Sequence, residues 1–198
     1  MAAREIELFF DIGSSYSYLA ATQMAALETR SGVPVRWRPF LVGAVFKAAG
    51  NEMPARVPAK ARWMLDDMVR WSRHYGIPFK MPSRFPLLTL RTQRALAAAE
   101  RAGLPIPAFA LALFKAYWCE DQDITADLVI AAAAEAAHLD GAAIVSAIDA
   151  PETKERLRAT TDEAVKRGAF GAPSMFVGEA LFWGNDRIQL LEEHLARP

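Results

Sequence analysis

The chain has 198 residues, and its 23 Lys and Arg residues balance 23 Asp and Glu residues, which gives a formal net charge of zero at neutral pH. A neutral chain without a basic block argues against nucleic acid as the main partner and against an anionic membrane surface. A single cysteine, Cys119, excludes an internal disulfide and a CxxC redox pair, so any thiol chemistry requires a thiol from outside.

Neither a membrane-spanning segment nor a secretory leader is predicted. No apolar run approaches the roughly 18 residues that a transmembrane helix needs. The start, MAAREIELFF, lacks the apolar core and the cleavage site of a signal peptide. Together with the single cysteine, these features predict a cytoplasmic protein. The length suits one domain with a sizeable core, or one domain that carries a large insertion.

The first elements form a β-α-β pattern. Residues 5–11 (EIELFFD) predict a strand, residues 16–30 a helix with apolar residues at helical spacing, and residues 34–40 (PVRWRPF) a second strand. Gly32 lies just past the end of the predicted helix, where glycine is favoured. Such a unit predicts two parallel strands joined by a right-handed crossover.

Helical patterns dominate the middle of the chain. Apolar residues recur there at helical spacing, and Pro105, Pro107 and Pro151 interrupt the pattern. The predicted helices cover residues 57–75, 89–102, 108–118, 125–138 and 142–149. Residues 43–150 are therefore predicted to form an inserted helical subdomain.

The last part of the chain mixes helices and strands again. Its predicted elements are a helix at residues 152–167, strands at 173–177 and 180–182, and a helix at 186–196. Gly178 and Glu179, between the two strands, are a two-residue hairpin signal. This order predicts an α/β protein with a thioredoxin-like fold and a large all-helical insertion between its βαβ and αββα parts. The thioredoxin-like domain would comprise residues 1–42 and 151–198, with the subdomain 43–150 between them.

Hydroxyl groups occupy the junction between the first strand and the first helix, in the segment SSYS at residues 14–17. One interpretation is an N-cap, in which a serine side chain accepts a hydrogen bond from a backbone N–H of the first turn. In a thioredoxin-like fold the same junction is the reaction site, where a helix N-terminus stabilises a thiolate. Ser14 and Ser17 stand in both cysteine-like positions. A serine cannot exchange disulfides, but its hydroxyl can donate a strong hydrogen bond to a bound sulfur anion.

Two segments near the C-terminus are predicted to lie close to this junction. The segment GAPS at residues 171–174 stands where the fold has a cis-proline, so Pro173 is predicted to be cis. The residue before such a proline offers its backbone N–H and C=O to an extended peptide. The segment WGND at residues 183–186 opens the last helix. Either Asn185 caps that helix, or the helix start and Asp186 hold the charged γ-glutamyl end of a tripeptide.

The other reactive side chains predict no second site. Cys119 is interpreted as a buried helix residue, and the three histidines have no ligand spacing, so no metal site is predicted. Asp66 and Asp67 are expected to be solvated or paired with basic residues of their own helix. On the same helix, Trp63, Met64, Met68 and Trp71 fall on helical spacing and are interpreted as core or groove lining, with a substrate-facing role as the alternative for Trp63.

Several segments of the chain resemble those of 2-hydroxychromene-2-carboxylate isomerases, of the kappa-class glutathione transferase group related to DsbA-type proteins. The resemblance rests on FFDIGSSYSYLA near the start, FKAAGN and PAKARWMLDDMVRWSRHYGIP in the middle, and FGAPSMFVGEALFWGNDR near the end. It covers essentially the whole chain, in order and with family-like spacing.

The resemblance implies a glutathione-binding enzyme, usually a homodimer. By position, Ser14 matches the serine that contacts the glutathione sulfur, and Ala172, before Pro173, matches the residue that makes backbone bonds to the cysteinyl part. The residues that match the segment around the γ-glutamyl end are Trp183, Gly184, Asn185 and Asp186. The residues that match the loop beside the aromatic substrate are Lys47, Asn51 and Pro54, with Trp63 close to it.

The implied reaction is a reversible isomerisation of an aromatic 2-oxo or 2-hydroxy carboxylate. Glutathione thiolate adds to an electrophilic carbon, the adduct rotates about a bond that is no longer double, and the thiolate leaves. A kappa-type transferase that conjugates electrophiles shares every feature of the glutathione site and is the alternative, as is a non-catalytic glutathione-binding module. Ser15 stands where the family often has proline, and Leu88 where an asparagine beside the substrate is common. The resemblance therefore does not identify the substrate.

Overall fold

The computed structural model describes residues 4–197 and confirms the mixed α/β architecture. The strands are β1 (Ile6–Phe10), β2 (Val35–Pro39), β3 (Ser174–Val177) and β4 (Ala180–Trp183). The α-helices of the described residues are α1 (Ser15–Ala21), α2 (Met24–Ser31), α3 (Val42–Ala48), α4 (Pro58–Tyr75), α5 (Leu90–Arg101), α6 (Pro107–Trp118), α7 (Asp127–Ala136), α8 (Gly141–Ala147), α9 (Pro151–Lys166) and α10 (Ile188–Leu195). Two short 3-10 helices cover Pro54–Arg56 and Asn185–Arg187.

The four strands form one sheet in the order β2-β1-β3-β4. β1 pairs in parallel with β2, with Leu8 opposite Trp37, which confirms the predicted β-α-β unit. β3 runs antiparallel to β1 and places Met175 opposite Leu8. β3 and β4 form the predicted hairpin, and Gly178 has the positive φ of +57° that its turn requires.

Both faces of β1 are buried, which explains its nearly continuous apolar sequence. Because side chains alternate along a strand, Ile6, Leu8 and Phe10 pack into the larger core cluster. Phe9 points to the opposite face, where it packs against Phe176 with ring centroids 5.5 Å apart. β1 is therefore a central strand with helices on both sides.

The helix predicted over residues 16–30 is two helices, so that prediction is wrong in its continuity. α1 ends at Ala21, and α2 begins at Met24. In the break, the Thr22 hydroxyl donates to the Leu19 carbonyl oxygen at 2.7 Å, and the Gln23 amide side chain donates to the Thr22 hydroxyl at 2.9 Å. Such local side-chain bonds compete with the regular helical ladder.

The inserted helices share their hydrophobic core with the sheet. Phe10 of β1 lies in the same buried cluster as Leu96 of α5 and Phe109 and Phe114 of α6. The division into residues 1–42 and 151–198 around a subdomain of residues 43–150 stays a prediction. Residues 1 and 198, the outer limits of this division, lie outside the described residues. The first three residues of the segment MAAREIELFF, which was predicted not to be a signal peptide, also lie outside them.

A cluster of charged side chains lies on the Phe9 face of the sheet. Arg38 is only 3% exposed and donates to both Glu7 and Glu163, and Arg167 also lies within ion-pair distance of these two carboxylates. Burial by itself would raise the pKa of Glu163, but the hydrogen bond and the charge of Arg38 and the charge of Arg167 outweigh it and hold that pKa below its ordinary value. Among residues 4–197, no helix has both the length and the apolar character needed to cross a membrane.

Candidate active site

A cleft of about 650 Å³ opens beyond the carboxyl end of β1, between the start of α1, the loop before β3, and α4. The structure brings most of the sequence-predicted site residues to its walls. Those that line it are Ser14, Asn51, Pro54, Trp63, Ala172, Trp183, Gly184, Asn185 and Asp186. Pro173 is buried behind Ala172, and Lys47 is exposed in the last turn of α3; neither lines the cleft.

Ser14 caps α1 and also contacts the loop on the other side of the cleft. Its Oγ accepts a hydrogen bond from the backbone N–H of Ser17 at 3.2 Å, which confirms the N-cap interpretation. The same hydroxyl donates to the carbonyl oxygen of Ala172 at 3.2 Å. Ser14 can therefore cap the helix and also lie in the site, because a hydroxyl can accept one hydrogen bond and donate another.

The loop before β3 has the backbone form that was predicted. The Ala172–Pro173 peptide bond is cis, and the Pro173 carbonyl oxygen accepts from the N–H of Gly184 at 3.1 Å. A Cβ on Gly171 would lie only 2.5 Å from Nε1 of Trp183, so only glycine lets the indole pack flat against this backbone. The loop and the segment after β4 consequently form one wall.

The start of the last helix differs from the predicted cap. Asn185 is 2% exposed, and its side chain donates to the hydroxyl of Tyr75 at 3.4 Å instead of capping the helix. Gly184 is the residue before this 3-10 turn, with φ of +100°. Asp186 is exposed to the cleft and accepts from Arg187 at 2.6 Å. Burial of Asn185 is the reason that its amide bonds inward.

One face of α4 forms another wall, and its lining residues are Lys60, Trp63, Met64, Asp67 and Trp71. Of the four residues interpreted as core or groove lining, Trp63, Met64 and Trp71 line the cleft, whereas Met68 is buried. Lys60 and Asp67 were not identified, although their spacing of three or four residues from the others is a signal for the same face. Asp67, expected to be solvated or paired with a basic residue of α4, is instead partly buried and accepts from the hydroxyl of Tyr16 at 3.0 Å. Burial, then the charge of Asp67, raises the pKa of Tyr16 above its ordinary value.

Part of the cleft lining is apolar and is called the apolar end below. It consists of Val42, Phe46, Met53 and Phe85, which the sequence prediction did not identify. Asn51, also in the lining, donates from its side-chain amide to the carbonyl oxygen of Phe170 at 3.0 Å. Leu88 is 88% exposed and does not line the cleft.

The charged side chains that line the cleft are two cations and two carboxylates, Lys60, Arg187, Asp67 and Asp186. Cys119, the chain's single cysteine, lies elsewhere, with its Sγ 3.4 Å from the Tyr18 hydroxyl, and burial raises the pKa of its thiol. The interpretation of Cys119 as a buried helix residue is wrong, because it is half-buried and follows the end of α6. Residues 4–197 contain no cluster of three or more His, Cys, Asp or Glu side chains that could hold a metal ion. The lining combines charged groups that suit a zwitterionic peptide with side chains that suit an apolar molecule.

Comparison with known proteins agrees with this geometry. The family model described as DSBA-like thioredoxin domain matches residues 5–196. The chain is 31% identical to 2-hydroxychromene-2-carboxylate isomerase of Sphingobium xenophagum, over 97% of this chain and 98% of that protein. It is 30% identical to glutathione S-transferase kappa 1 of Rattus norvegicus, over 96% of this chain and 90% of that protein.

A solved structure of a 2-hydroxychromene-2-carboxylate isomerase superimposes with a TM-score of 0.84 at 27% identity, covering 97% of this chain and 94% of that chain. The resemblance inferred from the sequence motifs is thereby confirmed. The chain belongs to the family of DSBA-like thioredoxin domains, and its relatives at about 30% identity are 2-hydroxychromene-2-carboxylate isomerases and kappa-class glutathione transferases.

Proposed function

We propose that the protein is a glutathione-dependent isomerase that acts on an aromatic carboxylate of the 2-hydroxychromene-2-carboxylate type. The observation that carries the proposal is the position of the Ser14 hydroxyl, 3.2 Å from the carbonyl oxygen of Ala172. It puts a hydroxyl donor beside the backbone that would bind the cysteinyl part of an extended tripeptide. Since Cys119 does not line the cleft, the reacting sulfur comes from the ligand.

The thiol can be activated by a change of partner at Ser14. The Ala172 carbonyl oxygen has two lone pairs and can accept from the cysteinyl N–H of glutathione, while the Ser14 hydroxyl turns from this neutral oxygen to the anionic sulfur. It keeps its bond from the N–H of Ser17. A hydrogen bond to an ionised acceptor is about twice as strong as a neutral one, so this change favours thiolate over thiol.

The charged ends of glutathione match the charges of the cleft. The α-ammonium has two carboxylates available, because Asp67 and Asp186 both line the cleft. The α-carboxylate can pair with Arg187. Lys60, on the α4 wall, is available to the glycyl carboxylate or to the carboxylate of the substrate.

The reaction uses the thiolate as a nucleophile. It adds to an electrophilic carbon of the substrate, the electron pair of the double bond moves to a conjugated oxygen, and the resulting single bond rotates. The electron pair then returns and expels the thiolate, so no net oxidation or reduction occurs. The apolar end of the cleft, with Phe46 and Phe85, supports binding of an aromatic ring.

A transferase that conjugates glutathione to apolar electrophiles is the second candidate. Two observations favour it: Lys47 does not line the cleft, and Leu88 is exposed where the family often has an asparagine. The cleft therefore offers few groups that could bind the carboxylate of a substrate in addition to the carboxylates of glutathione. A transferase consumes glutathione and an isomerase regenerates it, so following free thiol during turnover separates the two. We also propose a homodimer, by resemblance, and a cytoplasmic location, from the single cysteine and the sequence features described above.

The test of glutathione binding is the ultraviolet thiolate absorbance of glutathione titrated with the protein between about pH 5 and 9, bracketing the free thiol pKa of about 8.5. A bound-thiol pKa well below the free value is the expected result. Absence of binding, or an unshifted pKa, would overturn the isomerase and the transferase proposals together. A non-catalytic module would bind glutathione without turnover of either substrate class.

A further inference from the structure

Asp11, the first residue after β1, is buried beneath the cleft and accepts hydrogen bonds from three separate segments. Asp11 is only 1% exposed. Oδ1 accepts from the N–H of Gly13 at 2.9 Å and from the hydroxyl of Thr89 at 2.7 Å, and Oδ2 accepts from the N–H of Val42 at 3.0 Å. The side chain of Gln93 adds a second link nearby, because it donates to the carbonyl oxygens of Phe10 and Phe40, both at 2.8 Å.

Each donor belongs to a different part of the cleft wall. Gly13 immediately precedes Ser14, and both line the cleft. Val42 begins α3 and lines the apolar end. Thr89 ends the segment of residues 85–89, whose first residue, Phe85, also lines that end. The hydrogen bonds that the Asp11 side chain accepts do not come from the segments that carry Ala172 and Asp186.

We propose that Asp11 is a positioning residue that fixes the two walls of the apolar end relative to Ser14, and so aligns the electrophile with the thiolate. The assignment of the electrophile to this end rests on the proposed function. Attack requires the reacting atoms to be held about 3–3.5 Å apart, and a displacement of about 1 Å costs roughly a hundredfold in rate. A rigid three-way link is the kind of support that such alignment needs.

The chemistry of the side chain explains why a carboxylate is used. Burial raises the pKa of Asp11, and the bonds from Thr89, Gly13 and Val42 oppose that rise. A carboxylate has lone pairs for all three donors. An asparagine has one acceptor oxygen, and its NH₂ group would meet the N–H of Val42 or the donors on the other side. The substitution Asp11→Asn therefore conserves shape but breaks the link.

The kinetic test compares Asp11→Asn, Thr89→Val and Thr89→Ser in the full chain, with glutathione and 1-chloro-2,4-dinitrobenzene or 2-hydroxychromene-2-carboxylate, whichever the unsubstituted protein turns over. For Asp11→Asn we expect kcat to fall about tenfold to a hundredfold and KM for the electrophile to rise, with the glutathione dissociation constant unchanged. Thr89→Val should show the same split to a smaller extent. Thr89→Ser, which keeps the hydroxyl, should retain the kcat and KM values of the unsubstituted protein.

A control and a second readout separate this role from loss of folding. Asp140 accepts from the N–H of Ala143 at 2.9 Å at the start of α8, outside the cleft, so Asp140→Asn is a control substitution that should leave both KM values unchanged. Amide hydrogen exchange in Asp11→Asn should accelerate in residues 41–48 and 85–92 and not in α9, whether or not glutathione binds.

Uniform acceleration of exchange, or equal effects on glutathione and electrophile, would show that Asp11 only stabilises the fold and would overturn the proposal. Exchange unchanged in residues 41–48 would overturn it as well. If the unsubstituted protein does not bind glutathione, the proposed function fails, and the exchange pattern alone still decides whether Asp11 fixes these two walls.

Discussion

Substitution of Ser14 by alanine removes the hydroxyl that caps α1 and that is proposed to contact the glutathione sulfur. Loss of a hydrogen bond to a charged group costs about 1.5–3 kcal/mol. Since one pKa unit corresponds to 1.36 kcal/mol, the pKa of the bound thiol should rise by about one to two units. From a bound-thiol pKa of about 6.5, such a rise lowers the thiolate fraction at pH 7 about threefold to twenty-fivefold, and the rate should fall in the same proportion.

The same substitution also has a cost for the fold. Ser14 accepts from the N–H of Ser17, and loss of an N-cap typically costs about 1 kcal/mol of unfolding free energy. Asp140 offers a matched control, because it caps α8 by accepting from the N–H of Ala143 at 2.9 Å, outside the cleft. Asp140→Ala should lower stability by a similar amount and leave the thiol pKa unchanged.

The assay is the ultraviolet thiolate titration of glutathione bound to each variant, with urea unfolding measured in parallel. The expected pattern is a raised thiol pKa and a lower rate in Ser14→Ala only, with both variants destabilised. If Ser14→Ala keeps the thiol pKa and the rate of the unsubstituted protein, the role given to its hydroxyl is wrong, and Ser14 is a helix cap alone.

Three further substitutions test other parts of the structure. Gly171→Ala would bring a methyl group within 2.5 Å of Nε1 of Trp183, so the urea-unfolding free energy should fall by about 1–3 kcal/mol, the usual cost of overpacking; unchanged stability would contradict the packing described. Trp118→Phe removes the indole that donates to the buried carbonyl oxygen of Ile12 at 2.8 Å and should lower the urea-unfolding free energy by about 2 kcal/mol; a loss near zero would argue against that bond. The pKa of Glu163 lies below its ordinary value in the folded protein, so its pairing contributes stability above the unfolded pKa of about 4.3 and loses it as the pH falls through the folded value. Glu163→Gln should therefore lose stability less steeply on acidification, and equal slopes in acid unfolding curves would count against the pairing.

Periodicity and turn chemistry were enough to predict most of the fold. The apolar run of β1 and the two-residue turn at Gly178 and Glu179 are local signals, because a strand buried on both faces needs continuous apolar residues and a tight hairpin favours glycine. The break at Thr22 and Gln23 was missed. It depends on side-chain bonds to nearby backbone, which leave no mark in the spacing of apolar residues.

Most of the residues proposed to hold glutathione could be anticipated, whereas part of the remaining lining could not. Ser14 and Ala172 were identified because the order of elements predicts that the strand–helix junction and the loop before β3 meet. Asn51, Pro54, Trp63 and residues 183–186 were identified from the motif resemblance, and they also line the cleft. Local signals and motifs were therefore enough for the fold class, for the absence of a chain cysteine at this junction, and for these positions.

Only the tertiary structure decided which other side chains share the cleft. Asp67 faces Tyr16 and not a basic residue of its own helix, since the packing of α4 against α1 turns it inward. Leu88 and Lys47 lie outside the lining although the motifs suggested otherwise. Asp11 receives donors from residues 13, 42 and 89, positions far apart in the chain. Such contacts arise from the packing of distant segments, and no local pattern of the sequence encodes them.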